Sequence, residues 1–193
     1  LFTVDTTLGT ITTADADAGT PGVQVAAGGG RVSFTLRAGA TAGTASVTVA
    51  SLGGTLSGTL AYLFAAGEAV GPVAIFRLDP AATAPGPVDF TTGAIVDAFG
   101  NPLDAGAYVT LVVQGGTPAT ADANPAAPGH QLALTSGVAN FSVRVGEEKE
   151  LDTALLYLAL YADPAQTELL GEETFLLAVV PMPLRGPGLA ALL

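Results

Sequence analysis

Short runs in which apolar and polar residues alternate make up much of the chain. The clearest is 138–145, VANFSVRV, which separates an apolar face from a more polar one. The apolar face consists of Ala139, Phe141, Val143 and Val145. A period of two is the pattern of a β-strand. The run at 88–96 also alternates and leads into Gly100-Asn101-Pro102, which predicts a tight turn because Gly and Asn tolerate positive φ and Pro stops ladder pairing.

Two later runs are almost continuously apolar. They are ALLYLALYAD at 154–163 and ETFLLAVV at 173–180, and such runs are typical of strands covered on both faces. A helix over 151–162 is the alternative, since LDTALLYLALYA contains helix formers. The strand is favoured because Asp163-Pro164 is a turn signal. Together these patterns predict an all-β fold.

An internal repeat relates the two halves of the chain. When the sequence is shifted by 107 positions, residues 13–39 align with residues 120–146 without a gap, and 12 of the 27 positions are identical. Phe34 then aligns with Phe141, and both fall on the apolar phase of their strands. Self-similarity at a fixed offset is the signature of a tandem array. We therefore expect two units of one fold, with Phe34 and Phe141 buried at equivalent positions.

The repeat also predicts that the first unit is truncated at its amino end. Leu1 aligns with Tyr108, so the first copy has no counterpart of residues 80–107. We expect a partial sandwich over 1–66, a linker and opening strand over 67–87, a complete sandwich over 88–180, and a Pro-containing apolar tail over 181–193. A sandwich without its first strands exposes sheet edges. Either the polypeptide continues upstream of Leu1 and fills the gap, or a neighbouring chain donates a strand, with 173–184 as the candidate donor.

A resemblance to a known family comes from the stretch TTGAIVDAFGNPLDAGAYVTLVV followed by LALTSGVANFSVRVG. It resembles the bacterial immunoglobulin-like domains of the invasin and intimin type, over 80–180 and, as a truncated copy, over 1–64. The matching residues are Asp97, Gly100, Asn101 and Pro102 at the corner, Gly137 with Phe141 at the hairpin, and Gly30 with Phe34 in the first copy. The resemblance implies sandwiches of about seven strands that serve as stalks or spacers. It implies no catalytic residues.

Composition and charge exclude several classes of function. The chain has 193 residues, a net charge of −11, no Cys and one His. Disulfide scaffolds and Cys/His zinc sites are thereby excluded. The six basic residues are scattered singly, and the acidic surface would repel phosphate backbones, so no nucleic acid is expected as a partner.

Candidate chemistry is limited to acidic pairs. Asp15 and Asp17 lie two positions apart, and the repeat places Asp122 and Asn124 at the same positions. Calcium binds oxygen ligands of this type, so these four residues are the candidate metal ligands. The alternative is that Asp and Asn begin turns. The same two interpretations apply to Asp97 and Asp104, and no other cofactor is expected.

These observations favour a non-enzymatic, extracellular structural module of a bacterial surface protein or filament. Its expected partners are copies of itself or neighbouring immunoglobulin-like repeats. A ligand-binding adhesin that contacts a receptor or glycan is the alternative, and an accessory domain of a secreted enzyme is a third. Membrane contact is expected only through the tail, which resembles the start of a bacterial sorting signal that would continue beyond Leu193.

Overall fold

The computed structural model describes residues 1–103, 106–146 and 153–179, and every regular element in them is a β-strand. In chain order these are β1 (Phe2–Thr6), β2 (Thr10–Ile11), β3 (Val23–Val25), β4 (Leu36–Arg37), β5 (Gly43–Ser51), β6 (Ser57–Phe64), β7 (Ala69–Val70), β8 (Ile75–Arg77), β9 (Gly86–Thr92), β10 (Val96–Asp97), β11 (Tyr108–Gln114), β12 (Gly116–Pro118), β13 (His130–Ala133), β14 (Asn140–Val145), β15 (Thr153–Tyr161) and β16 (Leu169–Ala178). The prediction of an all-β fold is confirmed. The helix considered for 151–162 is not formed over Thr153–Tyr161, which is the strand β15, with burial that alternates up to Leu158 and is continuous over Leu158–Leu160.

The chain divides into two compact units. Unit 1 comprises Leu1–Ala69 and Val96–Asp104, and unit 2 comprises Val70–Ile95 and Ala105–Leu193. The prediction placed all of 88–180 in the second domain, whereas the corner at 96–103 packs with unit 1. The cause is a set of hydrogen bonds that Asp97 and Asn101 make with residues 40, 42 and 67. The predicted tail, 181–193, lies outside the described residues.

Unit 1 contains a four-stranded antiparallel sheet in the order β3-β1-β5-β6 and a two-stranded sheet, β2-β4. Its core is formed where apolar positions of the two sheets meet, at Val4, Ile11, Val25 and Val47. Phe34 packs against this core but remains half-buried. The strand pair β7-β10 forms a separate short ladder.

Unit 2 contains two four-stranded sheets, in the orders β13-β11-β15-β16 and β12-β14-β9-β8. The runs β8-β9-β14 and β11-β15-β16 correspond to the A-B-E and C-F-G neighbours of an immunoglobulin-type sandwich. β14 buries the apolar face that its alternation predicts, and Phe141 is 3% exposed. The Phe141 ring stacks on Phe90 of β9 with 5.5 Å between centroids. The core of unit 2 therefore depends on β9.

Candidate functional site

Asp97 organises the corner that packs with unit 1. Its Oδ1 accepts hydrogen bonds from the backbone N–H groups of Phe99 and Asn101, both at 2.9 Å, and Oδ2 accepts one from the backbone N–H of Gly67, also at 2.9 Å. Gly100 makes the turn with φ of 83°. Hydrogen bonds from the Asn101 side chain, followed by that from Gly67, hold the pKa of Asp97 well below its usual range. The carboxylate is thus kept ionised as an acceptor for backbone donors.

Asn101 extends the same network to a distant loop of unit 1. Its Nδ2 donates to the Ala40 carbonyl at 2.7 Å, and its Oδ1 accepts from the Ala42 backbone N–H at 3.0 Å. These bonds join positions about sixty residues apart in sequence. They explain why the corner belongs to unit 1. Asp104, which flanks the corner, lies outside the described residues.

Asp15 closes a loop between β2 and β3. Its Oδ1 accepts hydrogen bonds from the backbone N–H groups of Asp17 and Gln24, both at 3.0 Å. Asp17 in turn accepts from the Gly19 backbone at 3.2 Å and from the Thr20 hydroxyl at 2.9 Å. Both carboxylates are therefore engaged by local donors, as the turn interpretation requires.

The loop between β12 and β13 repeats this arrangement. Asp122 Oδ1 accepts from the backbone N–H groups of Asn124 at 2.9 Å and Gln131 at 3.2 Å. Among the described residues, no three His, Cys, Asp or Glu side chains group as a metal site. Calcium binding by Asp15, Asp17, Asp122 and Asn124 stays a prediction.

Two buried glutamines hold these loops in place, and the sequence interpretation gave them no role. Gln24 and Gln131 are buried, and their Nε2 groups donate to the carbonyls of Pro21 at 2.9 Å and Pro128 at 2.7 Å. The signal was present in the repeat, where both glutamines follow a Pro-Gly pair. The two loops are thus built by the same bonds at residues 107 apart.

In unit 1, the inner face of β6 has little cover among the residues that the structure describes. Leu60 lies opposite the buried Val47, and Tyr62 lies opposite the buried Ala45. Directly opposed residues in an antiparallel pair share a face, so Leu60 and Tyr62 point to the core side of the sheet. They are nevertheless 55% and 44% exposed. Among the described residues, the inner face of β6 is therefore exposed at Leu60 and Tyr62.

The equivalent inner face in unit 2, that of β16, is covered toward its end, where Phe175 is half-buried and Leu177 is buried, whereas Glu173 is exposed. Thr6 and Val113, which are 107 residues apart, pair with Val47 and Leu158. Val47 and Leu158 are therefore equivalent, and so are Ala45 and Leu156, two positions earlier. Ala45 pairs with Tyr62 and Leu156 pairs with Phe175, which makes Tyr62 equivalent to Phe175. The Phe175 ring lies 5.0 Å from the Phe90 ring of β9. Unit 1 has no counterpart of β9 among the described residues, which is why Tyr62 stays exposed.

The candidate donor segment occupies a place in unit 2. Residues 173–178 belong to β16, which pairs with β15 along its whole length. Leu177 is fully buried there. Residues 180–184 lie outside the described part of the chain. Donation of 173–184 to a neighbour stays a prediction and would require β16 to leave its sheet.

A shallow concavity of about 470 Å³ lies on unit 1 beside the corner. Its walls include Thr10, Thr12, Arg37 and Phe99. The Phe99 ring is 71% exposed. An aromatic ring beside an arginine is a combination enriched at interfaces.

Among the described residues, no helix is long and apolar enough to cross a membrane.

No protein-family model matches the chain, and no curated protein matches it. Among solved structures it is similar to the D00-D0 domain of intimin, with 10% identity, a TM-score of 0.38, and coverage of 92% of this chain and 78% of that one. It is also similar to the β-glucuronidase of Parabacteroides merdae, with 9% identity, a TM-score of 0.35 and coverage of 74% of this chain. The chain spans 17% of the glucuronidase. Both similarities are too distant to assign an activity.

Proposed function

We propose that the chain is a non-enzymatic structural module, with two immunoglobulin-like units in series, of an extracellular bacterial surface protein. The observation that carries this proposal is the recurrence of one loop architecture at residues 107 apart. Asp15 and Asp122 accept equivalent backbone hydrogen bonds, and Gln24 and Gln131 fill equivalent positions. Many cell-surface domains share the sandwich architecture, and repetition of one such module suits a spacer.

The use of the polar side chains supports a structural role. Asp97, Asp15 and Asp122 each direct a carboxylate oxygen to backbone donors of their own turn. A carboxylate committed in this way stabilises a turn and is poorly placed for general acid–base work, which needs a group free to exchange a proton with substrate. The net charge of −11 suits a solvated surface module.

Cell-surface labelling tests the proposal. Antibodies raised against the chain should label intact cells of the bacterium that produces it, and trypsin added to intact cells should remove the signal. A cytoplasmic protein of the same cells serves as the control for lysis. Labelling confined to permeabilised cells would refute the extracellular role.

A ligand-binding adhesin is the second candidate, and the concavity beside Arg37 and Phe99 favours it. A glycan array probed with the full chain tests this function. Binding that is lost in Phe99→Ala and retained in Phe76→Ala, a change at another exposed ring, would support the adhesin. An array without any bound glycan would argue against a glycan-binding adhesin.

A further inference from the structure

The edge strand β6 of unit 1 lacks the features that normally prevent edge-to-edge pairing. In the sheet order β3-β1-β5-β6 it pairs with β5 on one side, and its other side has no partner strand among the described residues. Its eight residues, SGTLAYLF, include no charge and no proline. Natural edge strands are usually blunted by charges, proline or bulges, because an unpaired strand is a template for another chain.

The strand in the same place in unit 2, β16, does carry such protection. In the equivalence of the two ladders, Thr59 corresponds to Glu172 and Leu60 corresponds to Glu173. β16 thus has two carboxylates at the centre of its edge. Pairing of two copies of β16 would bring four negative charges together, which is unfavourable. The edge of unit 1 has no comparable barrier.

We propose that β6 pairs antiparallel with β6 of a second copy of this chain, about a two-fold axis that passes midway between the Ala61 residues of the two copies. The axis is perpendicular to the sheet, so the inner faces of both copies lie on the same side. Each residue then lies opposite a residue of the other copy that points to the same face. The pairs are Ala61 with Ala61, Leu60 with Tyr62, Thr59 with Leu63, and Gly58 with Phe64.

The residues of β6 are suited to pairing with a second copy of β6. The exposed Leu60 and Tyr62 become cross-strand neighbours twice over, and aromatic–aliphatic pairs of this kind stabilise sheets. Phe64 opposite Gly58 resembles the aromatic side chains that cover glycines in sheets. A single strand pair buries less surface than a standard interface, so the dimer is weak.

Charge further restricts where two copies can meet. Each copy has a net charge of −11, so copies repel one another over most of their surface. The uncharged β6 is a segment where close approach carries little local repulsion. Added salt screens the remaining repulsion, and the dimer should therefore strengthen as ionic strength rises.

The proposed β6–β6 contact is a contact between two copies of the structural module, and it therefore rests on the proposed function. The two fail separately, because surface labelling does not depend on the oligomeric state.

Sedimentation equilibrium of the full chain is the first test. We expect a monomer–dimer equilibrium at micromolar concentrations that shifts toward dimer with salt. The double variant Thr59→Glu, Leu60→Glu copies the edge of β16 onto β6 and should weaken the dimer by about tenfold or more. The matched control is Leu176→Glu, which adds charge at an exposed leucine of β16 and should leave the equilibrium within about twofold of wild type, since it lies off the proposed contact.

Cross-linking tests the register. The chain has no cysteine, so Ala61→Cys introduces a single thiol that the two-fold axis places opposite its own copy. Directly opposed Cα atoms lie about 4.5–5.5 Å apart in antiparallel pairs, within the range of a disulfide. With oxidised glutathione this variant should form a covalent dimer. Thr174→Cys, at the equivalent centre of β16, should not.

Three outcomes would overturn the proposal. One is a chain that remains monomeric throughout the micromolar range at high salt. Another is equal cross-linking of Ala61→Cys and Thr174→Cys. The third is a dimer that the double variant Thr59→Glu, Leu60→Glu leaves within about twofold of wild type, since that would place the contact away from β6.

Discussion

Units 1 and 2 have equivalent loops, but their core side chains are buried to different extents. The loops at Asp15 and Asp122 make equivalent hydrogen bonds, whereas Phe34 is half-buried and Phe141 is buried. The loops agree because each is closed by hydrogen bonds between residues no more than nine positions apart. Burial differs because it depends on β9, which pairs with β14 in unit 2 and has no counterpart among the described strands of unit 1. Local geometry and burial are thus determined by different parts of the sequence.

The largest expected effect separates the two phenylalanines. Phe141→Ala removes a ring stacked on Phe90 and should destabilise unit 2 by about 3–5 kcal/mol. Phe34→Ala should destabilise unit 1 by only about 1–2 kcal/mol, because the Phe34 side chain is only partly buried against the core. Denaturant titration monitored by hydrogen–deuterium exchange assigns each change to its unit. Equal losses would mean that the side of unit 1 is covered in solution.

The second-largest effect is expected at the corner of unit 1, whose contribution to stability should depend on pH. The pKa of Asp97 is depressed in the folded chain below its ordinary value of 3.8, so its stabilising contribution is present above that value and fades as pH falls below it. Asp97→Asn places an amide N–H₂ where backbone donors converge and should therefore lower the stability of unit 1 at pH 7. The difference from wild type should shrink below about pH 4.

Asp163→Asn is the matched control for the corner in unit 2. The pKa of Asp163 is also lowered, chiefly by the Glu168 backbone N–H and then by Thr167. Exchange protection should therefore fall in the β15–β16 turn and remain unchanged at 40–42 and 67. Loss of protection at 40–42 in this control would contradict the assignment of the corner network to Asp97 and Asn101.

The glycines that follow the loop prolines should behave alike. Gly22 and Gly129 have φ of 89° and 81°, and an added Cβ would lie 2.6 Å from Thr3 Cγ2 and 2.8 Å from Thr110 Cγ2. Gly22→Ala and Gly129→Ala should each cost about 2 kcal/mol through backbone strain and crowding. Unfolding measured unit by unit checks this. Costs that differ by more than about 1 kcal/mol, beyond the spread expected of one mechanism, would show that the two loops are not equivalent.

Sequence patterns predicted what is encoded locally. Alternation identified the buried face of β14, and Gly-Asn-Pro identified the corner. The assignment of the corner to unit 1 was missed, because it depends on Asn101 reaching Ala40 and Ala42 about sixty residues away. The partial exposure of Phe34 was also missed. The repeat predicts which side of its strand Phe34 faces, but it does not show whether another strand packs over that side. The role of Gln24 and Gln131 was available from the repeat and was overlooked because a buried glutamine is rare.

The smallest expected effect concerns calcium and the loop carboxylates. Asp15 and Asp122 already accept two backbone hydrogen bonds each, so Asp15→Ala and Asp122→Ala should each cost about 1 kcal/mol without any metal. Chelator should leave the thermal midpoint of wild type unchanged, because both carboxylates are engaged by local backbone donors and only a ligand bound to the folded state would shift the midpoint. A midpoint that falls in chelator, recovers with calcium, and no longer responds in the double variant Asp15→Ala, Asp122→Ala would instead assign the metal to these loops.

Calcium binding would also separate the two units, because Asp17 in the first loop and Asn124 in the second differ by one charge, and calcium affinity rises with ligand charge. Unit 1 should in that case respond at lower calcium concentration than unit 2, and a response of unit 2 alone would contradict this order of affinities.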